Sequence, residues 1–164
     1  MSVENFNLTN ITTYQAGVAQ AAMHRSLQKV CDEILRPFGI SKMQWMIIGT
    51  VGDAGQAGIR MSDLAETLGT TIPYLTTSVT LLESKGYLLR KENREDSRSK
   101  LVTINQVKAL DLDKIEATLR DGLRKSIYAD IDPADFKVYM KVMYQLAKVG
   151  KKSFSKVLAK QTVN

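Results

Sequence analysis

The side chains best suited to recognition chemistry are concentrated in a short polar segment, ENREDSRS, between two strand-like runs. Arg94, Arg98 and Lys100 are the cations in and beside this segment, and Asp96 lies two residues before Arg98. Cations at the tip of a hairpin are suited to phosphates or to the narrow minor groove of double-stranded DNA. These residue types therefore predict electrostatic recognition of a nucleic acid.

A surface of hydroxyl and methyl groups precedes this segment at helical spacing. Two short helices are predicted at SDLAETLG and at TTIPYLTTSVTLLESK, joined by a turn at Gly69. Such a pair is typical of a helix-turn-helix, whose second helix lies in the major groove of DNA. The outward face of the second helix carries Thr76, Thr77 and Thr80.

Residues for covalent or metal chemistry are scarce. Cys31 is the only cysteine and His24 the only histidine, so the sequence offers neither an internal disulfide nor a Cys/His zinc site. No motif pairs a nucleophile with a general base. We therefore expect no metal, no cofactor and no enzymatic activity.

The elements that position these residues follow from apolar residues at helical spacing. A long first helix is predicted to begin after Thr12 or Thr13 and to end near Pro37 and Gly39. Ser41 is predicted to cap a second helix, SKMQWMIIGTVG. The residues expected to be buried in it are Trp45, Met46, Ile48 and Val51.

A glycine-rich stretch separates the second helix from the helix-turn-helix. The GxxxxGK(S/T) pattern of a phosphate-binding loop is missing, so a flexible turn between helices is predicted. A short strand is expected at residues 59–61, and Ser62 should cap the helix that follows. The glycines are Gly49, Gly52, Gly55 and Gly58.

A β-hairpin, or wing, is predicted directly after the helix-turn-helix, from residues 87–91 and 100–104. Asn105 should then cap a helix that runs to about Ala129. A last helix is predicted to start at Asp132-Pro133. The pattern thus places two long helices after the wing.

The first helix and the last two carry apolar stripes longer than the middle of the chain can cover. We therefore expect residues 11–38 and 106–154 to pair with a second copy across a two-fold axis. The winged domain is assigned to residues 41–104, a flexible arm to 1–10 and a basic tail to 155–164. The predicted dimerisation residues are Ile11, Tyr14, Val18, Leu119, Leu123, Ile127, Phe136, Tyr139, Met143 and Leu146.

The composition is that of a single globular domain, with 164 residues of which 44% are hydrophobic and 24% charged. The formal net charge of +6 is consistent with an acidic partner such as DNA. No apolar run approaches the roughly 20 residues that span a bilayer, and the start of the chain does not read as a signal peptide. The chain is therefore expected to be cytoplasmic, without a membrane partner.

The order of elements and the run LAETLGTTIPYLTTSVTLLESKGYLLRKENREDSRSKLVTI resemble the MarR family of bacterial dimeric winged-helix transcriptional regulators. The most specific match is DSRSK, which fits the wing signature Asp-x-Arg-x-Lys. The resemblance implies a mainly α fold with a small β-hairpin and flanking dimerisation helices. It also implies that Arg98 enters the minor groove while Asp96 braces the wing. The DNA-binding residues expected in all are Ser62, Thr70, Thr71, Ile72, Pro73, Tyr74, Thr76, Thr77, Thr80, Arg94, Asp96, Arg98 and Lys100.

One departure from the family concerns the second helix of the helix-turn-helix. The family often has arginine at the positions that Thr77 and Leu81 hold here, and this helix has no Lys or Arg before Lys85. It therefore cannot make the bidentate arginine contact to guanine. We expect an A·T-rich, imperfectly palindromic operator that is read through thymine methyl groups.

Members of this family commonly sense small aromatic ligands, or oxidants through a cysteine near the N-terminus. Tyr14, His24, Trp45 and Met46 could line a ligand pocket, although such residues at helical spacing are more often core. Acidic neighbours on the chain disfavour a thiolate at Cys31, which argues against redox sensing.

The favoured function is therefore a sequence-specific, double-stranded-DNA-binding regulator. It is expected to be a dimeric repressor that responds to a small aromatic effector. The alternative is a winged-helix module for protein–protein contact with little DNA specificity, which the cation-poor helix would allow. Binding that weakens steeply with salt separates the first function from the second.

Overall fold

A computed structural model describes residues 11–93 and 99–151 of the chain. These residues form six α-helices and one small antiparallel sheet. The helices are α1 (Thr13–Leu35), α2 (Lys42–Asp53), α3 (Met61–Leu68), α4 (Ile72–Ser84), α5 (Ala109–Lys125) and α6 (Pro133–Lys151). The strands are β1 (Ile59–Arg60), β2 (Leu88–Glu92) and β3 (Lys100–Ile104).

This architecture confirms the predicted fold class, a mainly helical chain in which a helix-turn-helix is followed by a β-hairpin. The arm predicted at 1–10, the hairpin tip at 94–98 and the segment 152–164, with its basic tail, lie outside the described residues. Within the described ranges, no helix combines the length and apolar character needed to cross a membrane.

Two polar residues fix the starts of α1 and α2 as the sequence predicts. Thr12 Oγ1 accepts the Gln15 N–H at 3.2 Å, and Gln15 Oε1 accepts the Thr12 N–H at 3.0 Å. Ser41 and Gln44 form the same reciprocal pair at 3.2 and 3.1 Å. Each pair satisfies backbone N–H groups that have no partner within the first helical turn.

The strands of the sheet follow the order β1-β3-β2, so β3 pairs with an antiparallel neighbour on each side. Gly58 immediately precedes β1 and has a φ of 80°. A Cβ at this position would lie 2.7 Å from Thr103 Cγ2 and 2.9 Å from the Val102 carbonyl oxygen. The close approach of this segment to β3 therefore requires glycine.

A single hydrophobic core joins the winged region to α1 and α5. The core fixes α4 on one side and leaves its other side open. Its buried apolar residues are Cys31, Leu35, Ile40, Ile47, Ile48, Val51, Leu64, Ala65, Leu75, Val79, Leu82, Leu88, Val102, Ile115 and Leu119.

Helix α2 differs from the prediction in the residues that it buries. Met46 is 40% exposed and Trp45 is half-buried, whereas Ile47, which was not predicted to be buried, is fully enclosed. Gly49 and Gly52 lie within α2, as the predicted span SKMQWMIIGTVG has them, so the flexible turn predicted for the four glycines is restricted to Gly55 and Gly58. Burial of the apolar face of α2 outweighs the helix penalty of roughly 1 kcal/mol for each glycine.

Three predicted boundaries are also wrong. Ser62 does not cap α3, because Arg60 holds the N-cap position and Ser62 lies inside the first turn. Asn105 caps a short 3-10 turn that precedes α5, and not α5 itself. Helix α5 ends at Lys125 instead of near Ala129, since the residues that follow form a turn before α6.

Candidate nucleic-acid interface

Helix α4 is anchored by one apolar face and exposes the other. Leu75, Val79 and Leu82 are fully buried and hold α4 against the core. Gly69, with a φ of 61°, ends α3 and lets the chain turn into α4. The face opposite the core is exposed and carries Ile72, Pro73, Tyr74, Thr76, Thr77, Thr80 and Leu81.

Two threonine hydroxyls on this exposed face already act as donors. Thr76 Oγ1 donates to the Ile72 carbonyl at 2.9 Å, and Thr77 Oγ1 donates to the Pro73 carbonyl at 3.3 Å. Each hydroxyl therefore offers its oxygen lone pairs to an outside partner. These side chains can accept a hydrogen bond from an exocyclic amine of adenine or cytosine, and they carry methyl groups for apolar contact.

A cation that the sequence pattern did not single out lies against this face. Arg90, in β2, places Nη1 2.7 Å from Glu83 Oε2. Its Nη2 donates to Thr80 Oγ1 at 3.1 Å and to the Thr76 carbonyl at 3.4 Å. Strand β2 thus brings a guanidinium to a helix whose own residues include no Lys or Arg.

The hairpin strands are joined below the tip by contacts between Asn93 and Ser99. The Asn93 N–H donates to the Ser99 carbonyl at 3.3 Å, and Asn93 Nδ2 donates to Ser99 Oγ at 2.9 Å. Lys91 and Lys100 are exposed on β2 and β3, and Lys91 Nζ donates to the Gln56 carbonyl. The predicted contact residues Arg94, Asp96 and Arg98 lie outside the described residues.

The remaining predicted contact residues lie at the starts of α3 and α4. Ser62 is exposed, and its Oγ donates to Asp63 Oδ1 at 3.0 Å. Thr71 is exposed at the N-cap position of α4 and makes no side-chain cap hydrogen bond, while Thr70 is half-buried. A hydroxyl at a helix N-terminus is well placed to contact a phosphate.

The segment that contains this surface also matches a known family. Residues 38–99 match the family model described as the MarR family. Over these residues, the chain is similar to the MarR family. No curated relative matches the chain.

Solved structures share the winged-helix fold of this chain. AbsC, a MarR family transcriptional regulator from Streptomyces coelicolor, has a TM-score of 0.72 at 18% identity, over 88% of this chain and 99% of AbsC. A mutant of MarR from E. coli complexed with operator DNA has a TM-score of 0.69 at 19% identity, over 79% of this chain and 91% of the MarR chain. CouR from Rhodococcus jostii, bound to p-coumaroyl-CoA, has a TM-score of 0.69 at 17% identity, over 80% of this chain and 91% of CouR. These likenesses confirm the fold.

The four residues predicted to line an effector pocket do not converge within one chain. Tyr14 is 77% exposed and His24 is exposed, ten positions later on the same helix. That separation corresponds to about 15 Å along the axis, so one small ligand cannot contact both. Trp45 is half-buried and Met46 exposed, both on α2.

Cys31 is enclosed in the core at 5% exposure. Burial raises the pKa of its thiol above the ordinary value; Lys42 acts in the opposite direction, and Asp32 raises the pKa further. The buried thiol is thus kept protonated at neutral pH, which agrees with the expectation that a thiolate is disfavoured. Among the described residues, no group of three or more His, Cys, Asp or Glu side chains could hold a metal ion.

The residues predicted to dimerise fall into three groups. Ile11, Tyr14, Val18, Met143 and Leu146 are exposed on or beside α1 and α6, so they are open to a partner. Leu119 is buried in the core of the chain itself, which leaves little of it for a second copy, and Leu123 packs against the same core while half-buried. The half-buried residues of this set are Ile127, Phe136 and Tyr139.

Proposed function

We propose that this chain is a member of the MarR family that binds double-stranded DNA as a transcriptional regulator, and that it is not an enzyme. The observation that carries the proposal is the exposed face of α4, with β2 and its cation Arg90 packed beside it. A helix that is anchored on one side and open on the other can enter the major groove while a hairpin reaches the minor groove. The bound operator DNA of the E. coli MarR mutant, which has the same fold, supports this assignment.

We further propose that the DNA-binding unit is a homodimer in the cytoplasm, where genomic DNA is accessible. The support is the uncovered apolar surface of α1 and α6, where Tyr14 is 77% and Tyr144 is 66% exposed. A two-fold dimer places two copies of α4 about one helical turn of DNA apart. Such a dimer acts as a repressor because it excludes other proteins from the base pairs that it covers.

The proposed operator is A·T-rich and imperfectly palindromic. Ile72 and Pro73 are exposed near the start of α4, where they can contact thymine methyl groups, and Thr76 and Thr77 add single hydrogen bonds. Discrimination against random DNA should be about 10³-fold, at the low end of the usual range. Selection of bound sites from random duplexes tests this, and enrichment of guanine at fixed positions would contradict it.

The wing contribution is tested by Arg98→Ala, which should weaken binding to all duplexes by about 1–3 kcal/mol, the range for single groove contacts. The assignment of Arg98 to the minor groove fails if the affinity in a titration at fixed salt is unchanged.

Control by a small aromatic effector is also part of the proposal. CouR, which has this fold, was solved with a p-coumaroyl thioester bound. Since the four predicted lining residues do not converge in one chain, an effector would have to use other residues or a surface completed by the second copy. Titration of small aromatic carboxylates against a preformed DNA complex tests this, with release of DNA as the expected result.

A second function is favoured by one feature of α4. Ile72, Tyr74 and Leu81 are 49%, 45% and 43% exposed, an apolar character that also suits a protein partner. The logarithm of DNA affinity should fall linearly with the logarithm of salt concentration if several phosphates are contacted. Salt-insensitive or absent duplex binding would favour the protein-contact module.

A further inference from the structure

The contacts of Arg90 connect α4 to the wing. Glu83 lies in the last turn of α4, and Thr80 and Thr76 lie one and two turns earlier. The Arg90 guanidinium bonds to all three residues, through the Glu83 carboxylate, the Thr80 hydroxyl and the Thr76 carbonyl. One strand side chain thus spans the carboxyl-terminal half of α4.

The three acceptors explain why the residue is an arginine. Its planar guanidinium has five N–H donors in a fixed arrangement, whereas a lysine ammonium is a single nitrogen on a flexible chain. The Arg90 and Glu83 side chains are 26% and 24% exposed, so the pair is less screened by solvent than the other ion pairs in the described residues. Arg90 is also opposite Val102 in the ladder, so its position is tied to β3.

We propose that Glu83 and Arg90 are positioning residues that set the orientation of the wing relative to α4, so that both can contact one duplex. The inference rests on the proposed DNA binding. Arg90 is paired with Glu83 and does not contact a phosphate itself. It acts by fixing the position of β2 and β3 relative to α4. The wing cation Lys100, exposed at the start of β3, depends on this geometry.

The sign of the effect of Glu83→Gln separates this role from general electrostatics. Removal of a negative charge near DNA strengthens binding if only net charge matters. A positioning role predicts the opposite, because Arg90 loses its charged partner and the wing loses its fixed orientation. We expect duplex affinity to fall about three- to tenfold, near the lower end of the range for coupled neighbours in one network.

The matched control is Glu116→Gln in α5. Glu116 forms an ion pair with Arg120, also at 2.7 Å, so this variant makes the same charge change in a different helix. Its affinity for the duplex should stay within about twofold of the wild type, as for other exposed ion pairs. Equal losses in the Glu116 and Glu83 variants would overturn the positioning role.

A double-mutant cycle with Lys100→Gln tests whether Glu83 acts through the wing. In the wild-type background, Lys100→Gln should weaken binding and reduce the salt slope by about 0.9, the value for one lost phosphate contact. In the Glu83→Gln background the same change should have a clearly smaller effect. Additive losses would overturn the inference, because they would mean that Glu83 and the wing act independently.

Arg90→Lys distinguishes positioning from direct phosphate contact. Lysine keeps the charge but cannot bond to all three acceptors, so we expect a loss similar to that of Glu83→Gln. Wild-type affinity in this variant would overturn the inference. Thermal unfolding of each variant checks the fold, and if an Arg90 variant does not fold, the cycle between Glu83 and Lys100 decides the question.

The outcomes also separate this inference from the function on which it rests. A wild-type chain that binds no duplex would overturn the proposed function, and the positioning role with it. A wild-type chain that binds DNA, with a Glu83→Gln variant that binds equally or more tightly, would overturn the positioning role alone.

Discussion

Among single residues, Gly58 is the position where the backbone leaves least room for a side chain. Its φ of 80° and the 2.9 Å separation of a built Cβ from the Val102 carbonyl oxygen combine backbone strain with a clash against β3. Gly58→Ala should therefore lower the free energy of unfolding by about 2–4 kcal/mol, since strain and overpacking both contribute. Urea denaturation measures the change.

Gly55→Ala is the matched control for this prediction. Gly55 also has a positive φ, of 61°, but a Cβ there would have nothing within 4 Å. Only the penalty for a left-handed backbone applies, so the free energy of unfolding should fall by about 1–2 kcal/mol. Equal decreases in the free energy of unfolding for the two variants would show that β3 shifts to accommodate the added methyl group.

Cys31 should be unreactive in the folded chain, because its thiol is buried and its pKa is raised. At pH 7.5 we expect alkylation by iodoacetamide to be at least about tenfold slower than in the urea-unfolded chain, since the thiolate is the nucleophile. Mass spectrometry of quenched samples follows the reaction. Equal alkylation rates in the folded and unfolded chain would contradict this prediction and would support a redox-sensing role for Cys31.

At the scale of elements, the capping pair of α2 links the sequence to the start of a helix. Ser41→Ala removes the oxygen that accepts the Gln44 N–H, which should cost about 1 kcal/mol of stability. Ser41→Gly should cost only about a few tenths of a kcal/mol, because glycine is tolerated at N-caps. The two thermal midpoints should therefore differ, and coincident values would argue against the cap.

Most elements can be predicted because their signals are local. The caps at Thr12 and Ser41, and the stops at Gly39, Gly69 and Gly86, each depend on a few neighbouring residues. The span of α2 is predicted with its two glycines included, but which of its residues are buried depends on packing that the sequence pattern does not reveal. The end of α5 at Lys125 carries no such signal, because neither glycine nor proline follows it directly.

The candidate site is predictable to a similar extent. The exposed face of α4 follows from the spacing of its buried residues, Leu75, Val79 and Leu82. Arg90 could not be assigned to this site, because its contacts with Glu83 and Thr80 arise only when β2 packs against α4. The only available signal was that Arg90 lies two residues after the buried Leu88, on the same side of the strand.

At the scale of the whole molecule, the exposed stripe of α6 predicts a dimer. Met143 is 37% exposed and should be covered by a second copy, so Met143→Asp should shift the chain to a monomer. Sedimentation of the wild type should give about twice the chain mass of 18.3 kDa.

Gln145→Asp makes the same charge change two residues away, on the opposite side of α6. This control should remain a dimer. A dimeric Met143→Asp variant, or a well-folded wild-type monomer at micromolar concentration, would contradict the proposed interface.

The uncovered faces of α1 and α6 also have a consequence for how much protein a cell must make. For the proposed dimer, the stability gained by covering these faces obeys mass action, so the thermal midpoint rises with total concentration. Dilution then separates the two α4 helices and removes the advantage of binding two half-sites at once. Operator occupancy would fall more steeply than the copy number itself, and chain abundance becomes a regulatory input alongside any effector.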